Sequence, residues 1–243
     1  MNYTLPGSWL LQAWFYGLAA AILVAASLLV RRSARVFGDA PGEAARRSRR
    51  FQVAAASWVT IVSAASYSGV LNPLAGPPWP FGLMFGSIVV LGVVIARSAT
   101  GTRLARGLPL SVLVGFQAFR LPLEVSMHQA YVEGLMPVQM SYSGRNFDIL
   151  TGVTALVLGA VLAYRRLPRW VTYAWNVIGL ALLANIVAVA LLSTPMIAYF
   201  GPDRLNVWVA RMPYTLLPAV MVLAAWAGHL IVFRALKEPQ EQT

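Results

Sequence analysis

Cysteine is absent from this chain of 243 residues. A disulfide framework, a thiolate metal site and a cysteine nucleophile are therefore excluded. Lysine occurs only once, as Lys237 near the carboxyl terminus, and no lysine lies within an apolar segment. This excludes the usual arrangement of a retinal protein, which needs a Schiff-base lysine inside its helical bundle.

Charge is scarce as well. Charged residues make up 11% of the chain and hydrophobic residues 58%, whereas a soluble domain carries about 25% charged residues. A soluble protein of this composition would expose apolar patches that promote aggregation, but a bilayer covers such a surface. The composition therefore predicts an all-α integral membrane protein, since a helix satisfies its own backbone hydrogen bonds in lipid.

Seven apolar segments approach the length of about 20 residues that spans a bilayer. Clusters of proline and glycine, which break helices, separate several of them. We therefore predict one polytopic domain of about seven transmembrane helices over residues 1–243, with no soluble domain. The predicted spans are 9–30, 51–71, 80–96, 108–132, 147–164, 170–193 and 213–233.

The basic residues lie on alternate connections between these segments. Of the 19 lysines and arginines, 15 fall in 31–50, 97–106, 165–169 and the tail residues Arg234 and Lys237. Because an excess of basic residues marks the cytoplasmic side, we expect the amino terminus outside and the carboxyl terminus in the cytoplasm. The location expected is a cell membrane of the bacterial inner-membrane type.

The same distribution bears on the partners of the protein. The net charge is +11, but a nucleic-acid binder gathers its basic residues on one exposed face. Here the arginines separate apolar segments instead. We therefore expect membrane lipids, and not nucleic acid, as partners, together with a small polar or anionic ligand.

The stretch GFQAFRLPLEVSMHQAYVEG (115–134) places polar residues where the fourth segment should cross lipid. At about 100° per residue, Gln117, Arg120, Glu124 and His128 fall within about 80° of one another on one helix face. An arginine at the bilayer centre costs about 2.5–3.5 kcal/mol on insertion scales. This polar stripe should therefore face the bundle interior or a hydrated cavity, with Arg120 and Glu124 paired one turn apart.

Two interpretations of the polar stripe stay open from the sequence. It is either a buried ion pair that fixes helix packing, or a pocket that binds or moves something polar. We favour the pocket, because replacing a buried ion pair by apolar residues is often neutral or stabilising. A costly central charge is thus a poor device for stability alone.

The connection after the fourth segment adds three candidates, Arg145, Asn146 and Asp148. Asn146 can cap the fifth helix, and Asp148 in its first turn complements the positive end of the helix. The alternative is that all three complete a pocket with Glu124 and His128 near the external surface.

Other polar residues are interpreted as structural. Asn176 in the sixth segment is expected to pack between helices, with a contact to the polar stripe as the alternative. His229 is expected at the cytoplasmic interface near Arg234, far from His128, so we predict no shared haem. Residues 203–214 are expected to form a short amphipathic helix in the interface. We expect no metal and no cofactor.

The function predicted is a carrier or permease for a small polar or anionic solute, with coupling to protons as an option, because intramembrane ionisable residues often mark such routes. Glu124 and His128 would exchange protons in that case. An alternative is a membrane-embedded enzyme acting on a lipid or an externally presented substrate, with Arg120 stabilising an anion. A second alternative is a non-catalytic subunit or receptor whose polar stripe pairs with another chain.

Overall fold

The computed structural model describes residues 7–74 and 76–238 of the predicted domain, and all regular secondary structure within these ranges is helical. A 3₁₀ turn, Gln117–Phe119, joins α5 to α6, and a π-helical turn, Leu217–Val222, leads directly into α9. The helices are α1 (Trp9–Val36), α2 (Pro41–Tyr67), α3 (Trp79–Arg97), α4 (Ala99–Gly107), α5 (Leu110–Phe116), α6 (Arg120–Val132), α7 (Ile149–Tyr164), α8 (Arg169–Leu192) and α9 (Leu223–Lys237).

Among the described residues, five helical segments are long and apolar enough to cross a membrane. The all-helical membrane fold predicted from composition is confirmed at this level. Helix α7 is apolar but has only 16 residues, and α2 begins inside the first arginine-rich connection. The five segments are Trp9–Val36, Trp79–Arg97, Leu110–Val132, Arg169–Leu192 and Leu217–Lys237.

The four basic segments meet at one end of the bundle. Arg103 in α4 donates to Asp39, which lies between α1 and α2. Arg106 forms an ion pair with Glu238 at 2.9 Å, and Arg169 donates to the Glu238 carbonyl at 2.7 Å. We call this the arginine-rich end. Helices α1, α3 and α9 therefore end there, whereas α2 and α8 begin there.

The first arginine-rich connection is mostly helical. Helix α1 continues to Val36 and α2 starts at Pro41, so the turn between them is short. Gly38 takes a φ of 75° there, a left-handed conformation that glycine adopts without steric cost. The second connection contains α4, whose first turn is capped by the Ser98 hydroxyl accepting from the Gly101 N–H at 3.1 Å.

Residues 203–214 differ from the prediction of an interfacial amphipathic helix. They contain two 3₁₀ turns, Pro202–Arg204 and Trp208–Ala210, and the segment 206–210 is buried. Trp208 packs edge-on against Phe15 of α1, with ring centroids 5.8 Å apart. The segment was misjudged because its flanking charges, on exposed residues, suggested a surface location for the apolar residues between them.

Close packing of α7 against α5 and α6 depends on two glycines. A Cβ on Gly159 would lie 2.9 Å from the Gly115 Cα, and a Cβ on Gly152 would lie 3.0 Å from the Arg120 carbonyl carbon. Small residues allow membrane helices to approach in this way. The contact brings the residues just before α7 alongside Arg120.

Candidate functional site

Arg120, at the start of α6, is held in the bundle interior by Asp148. The guanidinium is 1% exposed, and its Nε donates to Asp148 Oδ2 at 2.7 Å, while Nη2 also faces that oxygen in an ion pair. Asp148 Oδ1 accepts from the Thr151 hydroxyl at 3.1 Å. The pairing predicted between Arg120 and Glu124 was therefore wrong, because the close approach of α7 offers Arg120 a nearer carboxylate.

His229 of α9 lies on the other side of the guanidinium. Arg120 Nη1 is 2.8 Å from His229 Nε2 and 3.5 Å from the Gly179 carbonyl oxygen. An arginine can only donate, so Nε2 accepts and the imidazole proton is on Nδ1. That proton points to Asn176 Oδ1 at 2.8 Å, and Asn176 Nδ2 donates in turn to the His229 carbonyl at 3.1 Å.

His229 is therefore a core residue and not the interfacial residue that the sequence suggested. It is 0% exposed. A Cβ on Gly179 of α8 would lie only 2.7 Å from its Cε1 atom, so the missing side chain on α8 makes the room for the imidazole. Asn176, three residues earlier, reaches the same ring. It therefore joins the network of the polar stripe, which was the alternative to a packing role.

Glu124 joins the network through Asn146. Asn146 Nδ2 donates to Glu124 Oε2 at 2.6 Å and to the Met140 carbonyl at 3.0 Å, while its Oδ1 accepts from the Asp148 N–H at 3.0 Å. Glu124 is 1% exposed, and Asn146 and Asp148 are buried as well. One amide thus connects the Glu124 carboxylate to the backbone of Asp148.

A cavity of about 40 Å³ lies beside this network. Arg120, Glu124, Asp148 and Asn206 contribute its polar wall, and the other lining residues are mostly apolar. A buried water needs about 10–15 Å³ and two to four polar partners, so the cavity has room for a few waters. Asn206 is completely buried, and its Oδ1 has no hydrogen-bond partner among the described residues.

Two irregular turns of helix border this cavity. The 3₁₀ turn Gln117–Phe119 precedes Arg120, and Pro122 has no N–H to bond the Ala118 carbonyl. The π-helical turn Leu217–Val222 contains Pro218. Phe119 and Pro218 both line the cavity. Interruptions of this kind often occur at functional sites and in the broken helices of transporters.

Gln117 lies one helical turn before Arg120 but has a different environment. It is 0% exposed, and its Nε2 donates to the Ala225 carbonyl at 3.1 Å. Its Oε1 has no partner among the described residues. A Cβ on Gly228 would lie 2.5 Å from Nε2, so Gln117 is pressed against the last helix and links α5–α6 to α9.

His128 and Arg145 lie outside the buried network. His128 Nδ1 is 2.8 Å from the Ser141 hydroxyl, and its ring stacks on Tyr142 with centroids 4.3 Å apart. Arg145 is exposed, with its guanidinium 5.3 Å from the centroid of the Phe200 ring. The five buried members of the predicted set are Gln117, Arg120, Glu124, Asn146 and Asp148.

Sequence reasoning missed two residues of the site, His229 and Asn206, and gave the contact of Asn176 only as an alternative. Each is a polar residue within or next to an apolar segment, and that was the available signal. The contact of His229 with Asn176 depends on helix α9 packing against α8. Among the described residues, no group of three or more histidines and carboxylates is arranged to hold a metal ion.

No protein-family model, curated protein or solved structure matches this chain.

Proposed function

We propose that the chain is a proton-coupled carrier for a small polar solute, and that the structure represents its occluded state. The observation that supports this most directly is the continuous buried network Glu124–Asn146–Asp148–Arg120–His229, which borders the cavity between the helices. Ionisable groups held deep in a membrane protein are typical of proton and solute routes. A purely structural network would not need a cavity beside it.

The charges favour a particular class of solute. Arg120 is neutralised by Asp148, and the neutral His229 tautomer adds no charge. Among the described residues, Glu124 is therefore the cavity carboxyl without an ion pair, and Asn206 Oδ1 is an acceptor without a donor. The buried Arg120 Nη2 faces the ion-paired Asp148, so Glu124 and Asn206 favour a solute that donates hydrogen bonds over the anion expected from Arg120 alone.

Glu124 is our candidate for the group that exchanges protons with the solute. Glu124 and Asp148 both line the cavity, but the carboxylate of Asp148 already accepts hydrogen bonds from Arg120 and Thr151. Protonating Glu124 would remove the negative charge that retains a cationic or donating solute. Binding and protonation would therefore compete, which is the coupling that an exchanger requires.

The 3₁₀ and π-helical turns are the elements that we expect to move. Both have backbone groups outside the regular i to i−4 pattern, and both lie beside the cavity. Small changes at such turns can open an occluded cavity while the flanking helices move as rigid bodies. The cavity would then reach opposite ends of the bundle in different states.

We further propose that the bundle crosses the membrane seven times, with the arginine-rich end in the cytoplasm of a bacterial inner membrane. Helix α2 runs beside α1 to the opposite end, where the Tyr67 and Tyr16 hydroxyls are 3.3 Å apart. Helix α7 packs along α5 and α6 through Gly152 and Gly159. The concentration of arginine at one end supports the orientation.

A lipid-modifying enzyme is the second candidate, favoured by an apolar cavity of about 260 Å³ that could take an acyl chain. Its wall includes Ala219 and Val220 of the π-helical turn, whereas Pro218 and Met221 line the polar cavity. A chain in the apolar cavity would therefore be separated from Glu124 by the last helix. The burial of Arg120 and Glu124 also argues against a subunit whose polar stripe pairs with another chain.

The test is proton flux through the purified full chain in liposomes that contain a pH-sensitive dye. We expect a pH gradient to dissipate faster when guanidinium, a small donor that stays charged, is supplied than when methanesulfonate, an anion that stays charged, is supplied. The Glu124→Gln variant should reduce the flux to that of empty liposomes. Glu43→Gln, at an exposed carboxylate that forms an ion pair with exposed Arg46, is the matched control and should retain the flux.

Two results would overturn the proposal. Equal flux in wild type, E124Q and empty liposomes would exclude proton coupling through Glu124. Flux driven by methanesulfonate but not by guanidinium would reverse the proposed class of solute and return Arg120 to the role of anion site.

A further inference from the structure

A second cavity, of about 260 Å³, opens among the helices on the side of α9 opposite to the polar cavity. We call it the lateral groove. Its walls come from α1, α2, α3, α4, α5 and the last span, and among its lining residues the polar group of Trp58 is already bonded, since Nε1 donates to the Ala219 carbonyl at 2.8 Å. Representative lining residues are Ile22, Phe51, Trp58, Leu91, Leu104 and Ile231.

The chemistry of the lateral groove requires an apolar occupant. A cavity lined by apolar side chains offers water too few polar partners and stays dry, and one of about 150 Å³ already accommodates benzene. The groove is larger, and several residues along it, including Leu23, Phe51 and Ile95, are partly exposed. Its occupant can therefore enter from the surrounding bilayer.

One end of the lateral groove lies beside arginines. On α2, Phe51 and Trp58 belong to a groove-lining arc of about 100°, and Arg47, one turn before Phe51, falls inside that arc. On α4, Arg103 directly precedes the lining residue Leu104. Arg47 and Arg103 both bond the same carboxylate, Asp39.

The charge at this end is unbalanced. Two guanidinium groups share one carboxylate, which leaves a net charge of one positive unit. The next two arginines on α2, Arg49 and Arg50, are exposed, and neither has a hydrogen bond or ion pair to another described residue. Basic residues next to a membrane helix attract anionic lipid headgroups. An anionic phosphate here would balance the charge of the arginine pair while its chain enters the groove.

We propose that the lateral groove binds one acyl chain of an anionic phospholipid from the leaflet at the arginine-rich end, with the headgroup on Arg47 and Arg103. Neither half of the site suffices alone. The arginines provide no place for the chain, and the apolar walls provide no preference for the headgroup. The proposal is independent of the carrier function, because the groove and the polar cavity are separated by the last helix.

The experiment is native mass spectrometry of the full chain in detergent, with phosphatidylglycerol or phosphatidylcholine added at equal concentration. We expect one retained phosphatidylglycerol and weaker retention of phosphatidylcholine. R47Q/R103Q should weaken phosphatidylglycerol binding by about 30-fold, or about fivefold for each arginine removed from the headgroup layer. Ala55→Phe, which fills the groove and leaves the arginines intact, should reduce the retention of both lipids.

The matched control is R31Q/R35Q. Both arginines are on α1 and exposed, and they point about 140° or more away from Ile22 on the helix. This variant removes the same charge from the same end and should keep wild-type lipid retention. If both double variants lose phosphatidylglycerol retention equally, the lipid is held by a general surface attraction, and the proposed site is wrong.

The A55F variant tests the apolar half by itself, so the proposal stays testable if R47Q/R103Q folds poorly. Wild-type phosphatidylglycerol retention in folded A55F would show that no chain occupies the groove. Equal retention of phosphatidylglycerol and phosphatidylcholine by the wild type would likewise overturn the proposed headgroup contact.

Discussion

Arg120 Nη1 donates a hydrogen bond to His229 Nε2 across 2.8 Å, although the two residues are 109 positions apart in the chain. The bond joins α6 to α9 in the bundle interior. It also fixes the tautomer of the imidazole, since the acceptor nitrogen cannot carry a proton. The two histidines of the chain therefore have different roles, and this difference can be measured.

Replacing His229 by alanine should destabilise the protein more than replacing His128. The H229A variant leaves a buried guanidinium N–H and the side-chain Oδ1 of Asn176 without their His229 partner, at a cost of about 1–3 kcal/mol. His128 is partly exposed, so water can replace its bond to Ser141. Chemical unfolding of both variants in the same detergent measures the difference, and equal free energies of unfolding would contradict the buried role of His229.

The Arg120–Asp148 pair should show strong coupling in a double-mutant cycle. Asp148→Leu leaves the Arg120 charge buried without compensation, Arg120→Met does the same to Asp148, and each should cost about 3–5 kcal/mol of stability. The double variant R120M/D148L removes both charges and should be closer to wild type than either single variant. Exposed Asp203, changed to asparagine, is the control. Additive losses in the cycle would mean that the two side chains do not act as a pair.

Asp39 should contribute a measurable dependence of stability on pH. Desolvation raises the pKa of this carboxyl, but hydrogen bonds from Arg47 and Arg103 lower it by more, so the pKa in the folded protein lies below its ordinary value. Because the pKa is lowered in the folded protein, the contribution of Asp39 to stability is fully present above the unfolded pKa of about 3.9. It is lost as the pH falls through the folded pKa.

The measurement is the free energy of unfolding between about pH 6 and pH 3, for wild type and Asp39→Asn. We expect the wild type to lose more stability than D39N as the pH falls, with the difference concentrated at the acidic end. Parallel curves for the two proteins would show that Asp39 has the same affinity for protons in the folded and unfolded states.

A single methyl group on α7 should disturb the site. In Gly152→Ala the added Cβ meets the backbone of Arg120 and Leu121, at 3.0 and 2.9 Å, and overpacking of this kind costs about 1–3 kcal/mol. Gly86→Ala in α3 meets no atom within 4 Å and should not destabilise. The comparison uses thermal unfolding, and equal stabilities would show that α7 can shift without penalty.

The absence of cysteine makes the topology easy to test, because any introduced cysteine is unique. Exposed positions Ser68 and Ser143 lie at the end opposite the arginines, and Ala40 and Arg165 lie at the arginine-rich end. With a membrane-impermeant maleimide on intact cells, S68C and S143C should be labelled and A40C and R165C should not. Labelling of both S143C and R165C would show that α7 does not cross the membrane.

The agreement between sequence and structure is best where a local property decides the outcome. The apolar segment predicted at 80–96 corresponds to helix Trp79–Arg97, and that at 170–193 to Arg169–Leu192. Helix formation in lipid follows from hydrophobicity and backbone hydrogen bonding within one segment. These ends can therefore be predicted without knowing which helices are neighbours.

The candidate site was predicted in part. One-dimensional periodicity placed Gln117, Arg120 and Glu124 on a common face, and all three are buried. Extending the same face to His128 was less successful, because that residue turns to Ser141 and Tyr142 in the connection after α6. The helix is also interrupted before Arg120 by the 3₁₀ turn, which a uniform angle per residue does not describe.

The sequence alone determined that this protein is a helical membrane bundle, where its basic connections lie, and that one span carries charge into an apolar setting. Only the tertiary structure decided how that charge is compensated. Arg120 pairs with Asp148 and His229 because Gly152 allows α7 to approach α6, and because Gly179 of α8 leaves room for the His229 ring of α9. Partner choice between distant residues depends on helix packing, which patterns within a single segment do not encode.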